Sequence, residues 1–118
     1  MLTIEAGVHD GTAVLTASGR LTAGDYARFV PAFERLAEAR GPLRVLLDLR
    51  EFRGWEVSAL WEDLKFTAAH QGAFQRIAVI GDKRWKAWGT WLSKPFFRAE
   101  MRYFDRAKTD QAWSWLTL

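Results

Sequence analysis

The chain of 118 residues contains no cysteine, only two histidines and only three prolines. The absence of cysteine excludes disulfides, thiolate zinc sites, iron–sulfur clusters and cysteine nucleophiles. The two histidines, His9 and His70, lie far apart in the sequence, which argues against a histidine-based metal site. No apolar run approaches the roughly 20 residues that span a bilayer. The first residues, MLTIEAGVHDG, lack the basic region and the apolar core of a secretory signal.

The length and composition indicate a single soluble, cytoplasmic domain that comprises residues 1–118. The length suits a single compact domain, and 49% hydrophobic with 26% charged residues is typical of a globular protein. Seven tryptophans are many for this length. The charge is uneven, since residues 83–108 hold eight basic and two acidic groups, whereas residues 1–82 hold nine basic and eleven acidic ones. A basic segment rich in aromatic residues is suited to an anionic surface.

Turn and capping signals organise the first part of the chain. Residues 2–8 and 12–18 alternate partly between apolar and polar, and the Asp-Gly pair between them predicts a β-hairpin. Thr22 and Asp25 resemble a capping box at the start of a helix. Pro31 falls inside the helical pattern and is expected to kink or restart that helix, which the Gly-Pro pair after residue 40 ends.

The remaining pattern alternates strands with helices. We predict strands at 43–49, 76–81 and 101–104, and helices at 57–70, 83–93 and 107–116. Gly54 is placed in the loop before the second helix, whose inward face is expected to carry Val57, Leu60, Trp61, Leu64 and Ala68, with Phe66 pointing away. The order β-β-α-β-α-β-α-β-α predicts an α/β fold, a mixed sheet flanked by about four helices.

Several short motifs resemble one known family over nearly the whole chain. The most specific are Gly54-Trp55 and the run RIAVIGD at 76–82, and others are Leu46-Leu47-Asp48-Leu49 and Ala112-x-x-Trp115-Leu116. In this pattern the chain resembles the SpoIIAA-like family, small bacterial domains in the STAS fold that are related in shape to the CRAL-TRIO lipid carriers. The resemblance implies a poorly defined function, frequent pairing as a homodimer, and hydrophobic-ligand binding or membrane association in place of an enzyme activity.

The same resemblance suggests a regulatory alternative at Ser58. The anti-anti-sigma factors share the fold and carry Asp-Ser-Ser-Gly after the third strand, where a partner kinase phosphorylates a serine. Alignment on Leu47–Leu49 puts Ser58 at that position, although its neighbours here are Val57 and Ala59. Ser58 is therefore either a phosphorylated switch near a helix N-terminus or a first-turn serine that bonds the backbone.

Aromatic and basic residues alternate around the third predicted helix. At ~100° per residue, Trp85 and Trp88 share one side of that helix, with Lys83 and Lys86 roughly opposite. Lys94, Phe96 and Phe97 continue the mixture. The lysines are candidates for contact with an anionic membrane, and they equally suit a solvated face. The aromatic side chains either seal the core or contact a ligand or membrane.

A hydrophobic cleft between the second and third helices is the preferred site for a lipid-like or amphipathic small molecule. Phe66 is expected to help complete the cleft, and Gly54 supplies either a positive φ before Trp55 or an ordinary turn. The candidate ligand-binding residues are Trp55, Trp61, Trp85, Trp88, Phe96 and Phe97.

No catalytic constellation is recognisable in the sequence. Gly81-Asp82-Lys83 lacks the glycine spacing of a phosphate-binding loop, and neither HExxH nor GxSxG occurs. We therefore expect a protein that is not an enzyme, with no cofactor, no metal and no nucleic-acid partner. The expected function is binding of a lipid-like ligand, with association at a membrane surface, and the alternative is a protein-interaction module of the anti-anti-sigma type.

Overall fold

A computed structural model describes residues 1–69, 72–81 and 100–118, apart from some side chains of the second helix. Five strands, three α-helices and one short 3₁₀ turn form the described part of the chain. In chain order they are β1 (Leu2–Ala6), β2 (Thr12–Leu21), α1 (Ala23–Arg40), β3 (Leu43–Trp55), α2 (Val57–Ala69), β4 (Phe74–Gly81), β5 (Glu100–Asp105), the 3₁₀ turn (Arg106–Lys108) and α3 (Thr109–Leu116). The predicted α/β class is confirmed, and the helix predicted at 83–93 lies outside the described residues.

The five strands form one mixed sheet in the order β1-β2-β3-β4-β5. β1 runs antiparallel to β2 through the predicted hairpin, whose turn contains Gly11 at φ 72°. The other neighbouring pairs are parallel. Parallel neighbours need crossover connections, and α1 and α2 supply two of them. Both helices pack on one face of the sheet, and α3 packs on the other.

β3 is six residues longer than predicted, because two bulges carry it past its charged stretch. Thr16 and Ser18 of β2 pair with Asp48 and Glu51, and Gly19 and Arg20 pair with Phe52 and Gly54, so β3 twice contains one extra residue. Each extra residue reverses which face the following side chains point to. Gly54, expected in a loop, therefore lies inside the strand.

The start of α1 is fixed as the sequence predicts. The backbone N–H of Thr22 donates to Asp25 Oδ2 at 2.9 Å, and the N–H of Asp25 donates to Thr22 Oγ1 at 3.2 Å, which completes a capping box. The helix then continues through Pro31 to Arg40, so a restart at the proline does not occur. Phe29 and Phe33 are buried on the two sides of the proline and anchor both halves of the helix to the core.

The structure contradicts the predicted inward face of α2 at Val57 and Phe66, whereas the side chains of Leu60, Trp61, Leu64 and Ala68 lie outside what it describes. Val57 is 85% exposed, whereas Ala59 is fully buried and Phe66 is 8% exposed. Phe66 packs against Phe29, Phe33 and Phe74, with ring centroids 5.3, 5.0 and 6.4 Å away. Nearly every side of α2 carries apolar residues, so periodicity alone does not identify its buried face. Ala59 and Phe66, seven residues apart, form that face.

The C-terminal helix covers part of the opposite face of the sheet. Ala112 and Leu116 of α3 are fully buried against Leu46, Ala78 and Ile80. Two arginines satisfy carbonyl groups at the end of this helix. Arg44 Nη1 donates to the carbonyl oxygens of Leu116 and Leu118 at 2.8 and 3.0 Å, and Arg76 Nη1 donates to that of Trp115 at 2.9 Å. Positive charge at a helix C-terminus is favourable, so these bonds fix α3 to β3 and β4.

Candidate functional site

An apolar cavity of about 90 Å³ lies between the sheet and the layer formed by α1 and α2. Strand β3 contributes more lining residues than any other element, and they extend from near its start to its end. These are Val45, Leu47, Leu49, Phe52 and Trp55. The spacing of two residues changes to three after Leu49 and again after Phe52, at the two bulges. The bulges therefore turn Phe52 and Trp55 toward the cavity.

The helices close the cavity from above. Tyr26 and Phe29 of α1 and Phe66 of α2 line it, and all three are buried. The rings of Phe29 and Phe66, with those of Phe33 and Phe74, form a chain of tilted, edge-on and stacked contacts between the helices and the sheet. Such contacts contribute about 0.5–1.5 kcal/mol per pair beyond the area buried. The cavity thus lies within the larger of the two hydrophobic clusters of the described residues.

One polar pair is found at the Trp55 end of the cavity. The indole Nε1–H of Trp55 donates to the hydroxyl oxygen of Tyr26 at 3.1 Å, which links the end of β3 to the first turns of α1. The indole also packs edge-on against Phe52, with ring centroids 4.7 Å apart. Gly54 precedes it at φ 112°, a conformation that favours glycine, so the positive φ is the one of the two alternatives that the structure shows.

A buried carboxylate, that of Asp25, directly precedes Tyr26 in the sequence. Asp25 accepts a bond from Arg28 Nη2 at 2.9 Å, and the α-ammonium group of Met1 lies 3.6 Å from its Oδ2. Burial would raise the pKa of Asp25, but the hydrogen bonds from Thr22 and the two positive charges outweigh it and hold the pKa below its usual range. Asp25 therefore stays ionised and serves the start of α1.

A family model, SpoIIAA-like, matches residues 12–117. This chain belongs to the SpoIIAA-like family. A solved structure agrees: an uncharacterized protein of the DUF3478 family with a SpoIIAA-like fold, from Shewanella loihica PV-4, is similar to this chain with 29% sequence identity and a TM-score of 0.80. The match covers 98% of this chain and 92% of that one. No curated protein matches the chain significantly.

The cleft expected between the second and third predicted helices lies partly outside the described residues of this SpoIIAA-like domain, so its ligand-binding residues stay a prediction. Of these residues, Trp55 is half-buried and lines the cavity beneath α1 and α2. The side chain of Trp61 lies outside what the structure describes. The others, Trp85, Trp88, Phe96 and Phe97, also lie outside the described residues, as do the basic residues Lys83, Lys86 and Lys94. Phe66, expected to complete the cleft between the second and third predicted helices, instead lines the cavity beneath α1 and α2.

The candidate switch residue Ser58 lies in the first turn of α2 and is exposed. Tyr26 and Phe52 are cavity residues that the sequence did not reveal. Tyr26 is indistinguishable in the sequence from an ordinary core residue of α1. The face of the sheet to which Phe52 points depends on a bulge. One signal is present in the sequence: the apolar residues Leu49, Phe52 and Trp55 lie three residues apart, whereas the inward side chains of a regular strand lie two apart.

A second carboxylate of the SpoIIAA-like domain, Asp48, points to the face that α3 covers. It accepts three bonds from Arg50: from the backbone N–H at 3.1 Å, from Nε at 3.0 Å and from Nη2 at 2.8 Å. Burial would raise the pKa of Asp48, but these bonds and the charge of Arg50 outweigh it and lower the pKa. The pairing raises the pKa of Arg50. Asp48 is a structural anion on the opposite face from the cavity.

No group of three His, Asp or Glu side chains among the described residues could hold a metal ion. Within residues 1–69, 72–81 and 100–118, no helix has the length and apolar character that crossing a bilayer requires.

Proposed function

We propose that this SpoIIAA-like domain binds a hydrophobic or amphipathic small molecule in the cavity beneath α1 and α2, without catalysing a reaction. The observation that carries the proposal is the apolar cavity itself, which the inward side chains of β3 line from Val45 to Trp55. Each methylene group moved from water into such a site contributes about 0.8 kcal/mol to binding. Among the described lining residues there is no carboxylate, imidazole or amine to transfer a proton, which favours binding over catalysis.

A membrane partner belongs to the same proposal and rests on the sequence. Lys83, Lys86 and Lys94 alternate with tryptophan and phenylalanine, and each lysine near an anionic surface contributes about 1 kcal/mol. We expect the protein to co-sediment with phosphatidylserine vesicles at low salt and to be released at high salt. An absence of co-sedimentation at low salt would contradict the membrane partner and leave the cavity proposal standing.

Native mass spectrometry of the protein purified from its own cells tests the ligand proposal. We expect an adduct that survives gentle desorption and is lost on denaturation, and the same spectrum counts the subunits of the expected homodimer. Thermal unfolding before and after delipidation provides the control, because a ligand bound only to the folded state raises Tm. Protein that carries no adduct and whose Tm is unchanged by delipidation would contradict the proposal.

The regulatory alternative is supported by the exposure of Ser58 in the first turn of α2. A phosphate there would lie near the positive end of the helix dipole, where an anion is tolerated. The same mass spectrum would show the added mass of one phosphate, and Ser58→Ala would remove it. A protein that is never modified in its own cells, with Ser58→Asp changing no partner in a pull-down, would contradict this function.

A further inference from the structure

We propose that the cavity encloses an uncharged hydrocarbon group of about three or four carbon atoms, which lies against Leu47 and Ala17 in the middle of the sheet. The inference rests on the proposed function and adds the size of the enclosed group, its lack of charge and its position. Three observations carry it: the exposure of Leu47, the small side chain of Ala17 and the volume of the cavity.

Leu47 indicates where the free space of the cavity lies. Val45, Leu47 and Leu49 point to the same face of β3, and all three line the cavity. Val45 and Leu49 are 1% and 6% exposed, whereas Leu47 between them is half-buried. Leu47 is also flanked on both sides, since Leu15 of β2 and Val79 of β4 pair with it. The exposed surface of a residue enclosed in this way within the sheet faces the space above it.

The other half-buried residues of the described lining have a simpler explanation. Trp55 is the last residue of β3, and Met101 belongs to β5, which is the outermost of the described strands. Exposure is ordinary at the end of a strand and at the edge of a sheet. Among the described lining residues, only Leu47 combines partial exposure with a central position.

Ala17 explains why space remains beside Leu47. It is the smallest of the described lining residues, and it lies on the same face of β2 as Leu15. At the first bulge it lies across from Leu49. A single methyl group among leucine side chains leaves a gap that a longer side chain at this position would fill.

The volume of the cavity sets the size of the enclosed group. A cavity of about 150 Å³ is known to bind benzene, which has six carbon atoms. In proportion, the volume of about 90 Å³ holds roughly three or four carbon atoms. A larger molecule could place only one of its ends in this space.

The lining favours a group without charge. None of the described lining residues carries a carboxylate, an imidazole, an amine or a guanidinium group. The indole N–H of Trp55 is already donated to the hydroxyl oxygen of Tyr26. A charged group enclosed here would lose its hydration without gaining a partner of opposite charge, which is strongly unfavourable. The enclosed group is therefore uncharged and apolar.

Propane, cyclohexane and propionate test the inference by methyl nuclear magnetic resonance titration of the whole protein. We expect propane to shift the methyl signals of Leu47 more than those of Val45 and Leu49. Propane should bind about fivefold more tightly than cyclohexane, whose ring overfills the cavity, and propionate, which has the same number of carbon atoms and a charge, should not bind.

Each part of the inference can fail separately. Shifts as large at Val45 or Leu49 as at Leu47 would overturn the position, cyclohexane binding as tightly as propane would overturn the size, and propionate binding as tightly as propane would overturn the lack of charge. These three results would leave the proposed function intact. No binding of any of the three probes would contradict both the inference and the proposed function.

Two pairs of variants test the two residues against which the group lies, with binding followed at the methyl signals of Val45. Ala17→Val fills the space and should weaken propane binding about fivefold, whereas Ala13→Val, outside the described lining, should leave it unchanged. Leu47→Ala enlarges the cavity and should strengthen cyclohexane binding about threefold, whereas Leu46→Ala, on the opposite face of β3, should not. Propane binding unchanged in Ala17→Val, or equal effects of the two leucine variants on cyclohexane, would overturn the assignment.

Discussion

Two alanines of β2 provide the sharpest test of the cavity. Ala13 and Ala17 lie on the same strand and the same face, and both are buried, with 0% and 2% of their surface exposed. Ala17 lines the cavity, whereas the described lining does not include Ala13. Replacement of each by valine adds the same two carbon atoms and the same preference for a strand. The two variants therefore differ mainly in the space that receives the added atoms.

The expected effects have opposite signs. In Ala17→Val the two added carbons enter the cavity, and at about 0.8 kcal/mol each they would stabilise the fold by up to roughly 1.6 kcal/mol. Restriction of the valine side chain lowers this, so we expect a gain of about 1 kcal/mol. In Ala13→Val the added carbons meet close-packed neighbours, and overpacking costs about 1–3 kcal/mol.

Urea unfolding followed by circular dichroism measures both free energies of unfolding, since two-state behaviour is the norm for domains of this size. The midpoint of Ala17→Val should rise and that of Ala13→Val should fall, with similar slopes. Ala17→Val should also weaken the binding of any hydrophobic ligand in the cavity, because the valine occupies part of the cavity volume. An equal loss of stability in both variants would show that the cavity beside Ala17 cannot hold two added carbon atoms, which would contradict the reasoning.

Three further substitutions test other parts of the structure. Asp25→Asn removes a carboxylate whose folded pKa is depressed, so wild type should be more stable by about 1 kcal/mol at neutral pH, and the difference should disappear as the pH falls below about 4 through the folded pKa; a difference that grows in acid would contradict the assignment. Gly54→Ala places a side chain at φ 112° and should cost about 1–3 kcal/mol, with a change in the near-ultraviolet dichroism of Trp55; an unchanged urea midpoint would show that the strand end adjusts freely. Arg44→Met removes the donor to two carbonyls at the end of α3 and should destabilise by about 1–2 kcal/mol, with faster amide exchange confined to α3; uniform exchange along the chain would argue against a local role.

Local chemistry allowed much of the fold to be predicted. The hairpin, the capping box at Thr22, the apolar runs of β3 and β4 and the final helix each carry a signal within a few residues. β3 was predicted six residues too short because Arg50, Glu51 and Arg53 interrupt its apolar run and Gly54 is typical of a loop. Pairing with β2 provides the partners that keep this stretch extended, and no local pattern contains that information.

The candidate site was predictable only in part, because tertiary packing decides which apolar residues share a face. The sequence predicts Trp55 as a ligand contact in a cleft between two helices, whereas the structure shows it lining the cavity beneath α1 and α2, and Phe52 reaches that cavity only through a bulge. Phe66 was placed on the outer face of α2 because the periodicity of an almost wholly apolar helix fits several orientations. Contacts of Phe66 with Phe33 of α1 and Phe74 of β4 resolve that ambiguity, and they are visible only in the tertiary structure.

The strand order has a consequence for how this domain can evolve. In open α/β sheets a ligand crevice forms at the carboxyl ends of the strands where the order reverses, and the described strands β1 to β5 follow one another without a reversal. The cavity consequently lies among residues that also hold the layers together. Loops can be exchanged between relatives with little effect on such a site, whereas each change in selectivity must also be compatible with folding.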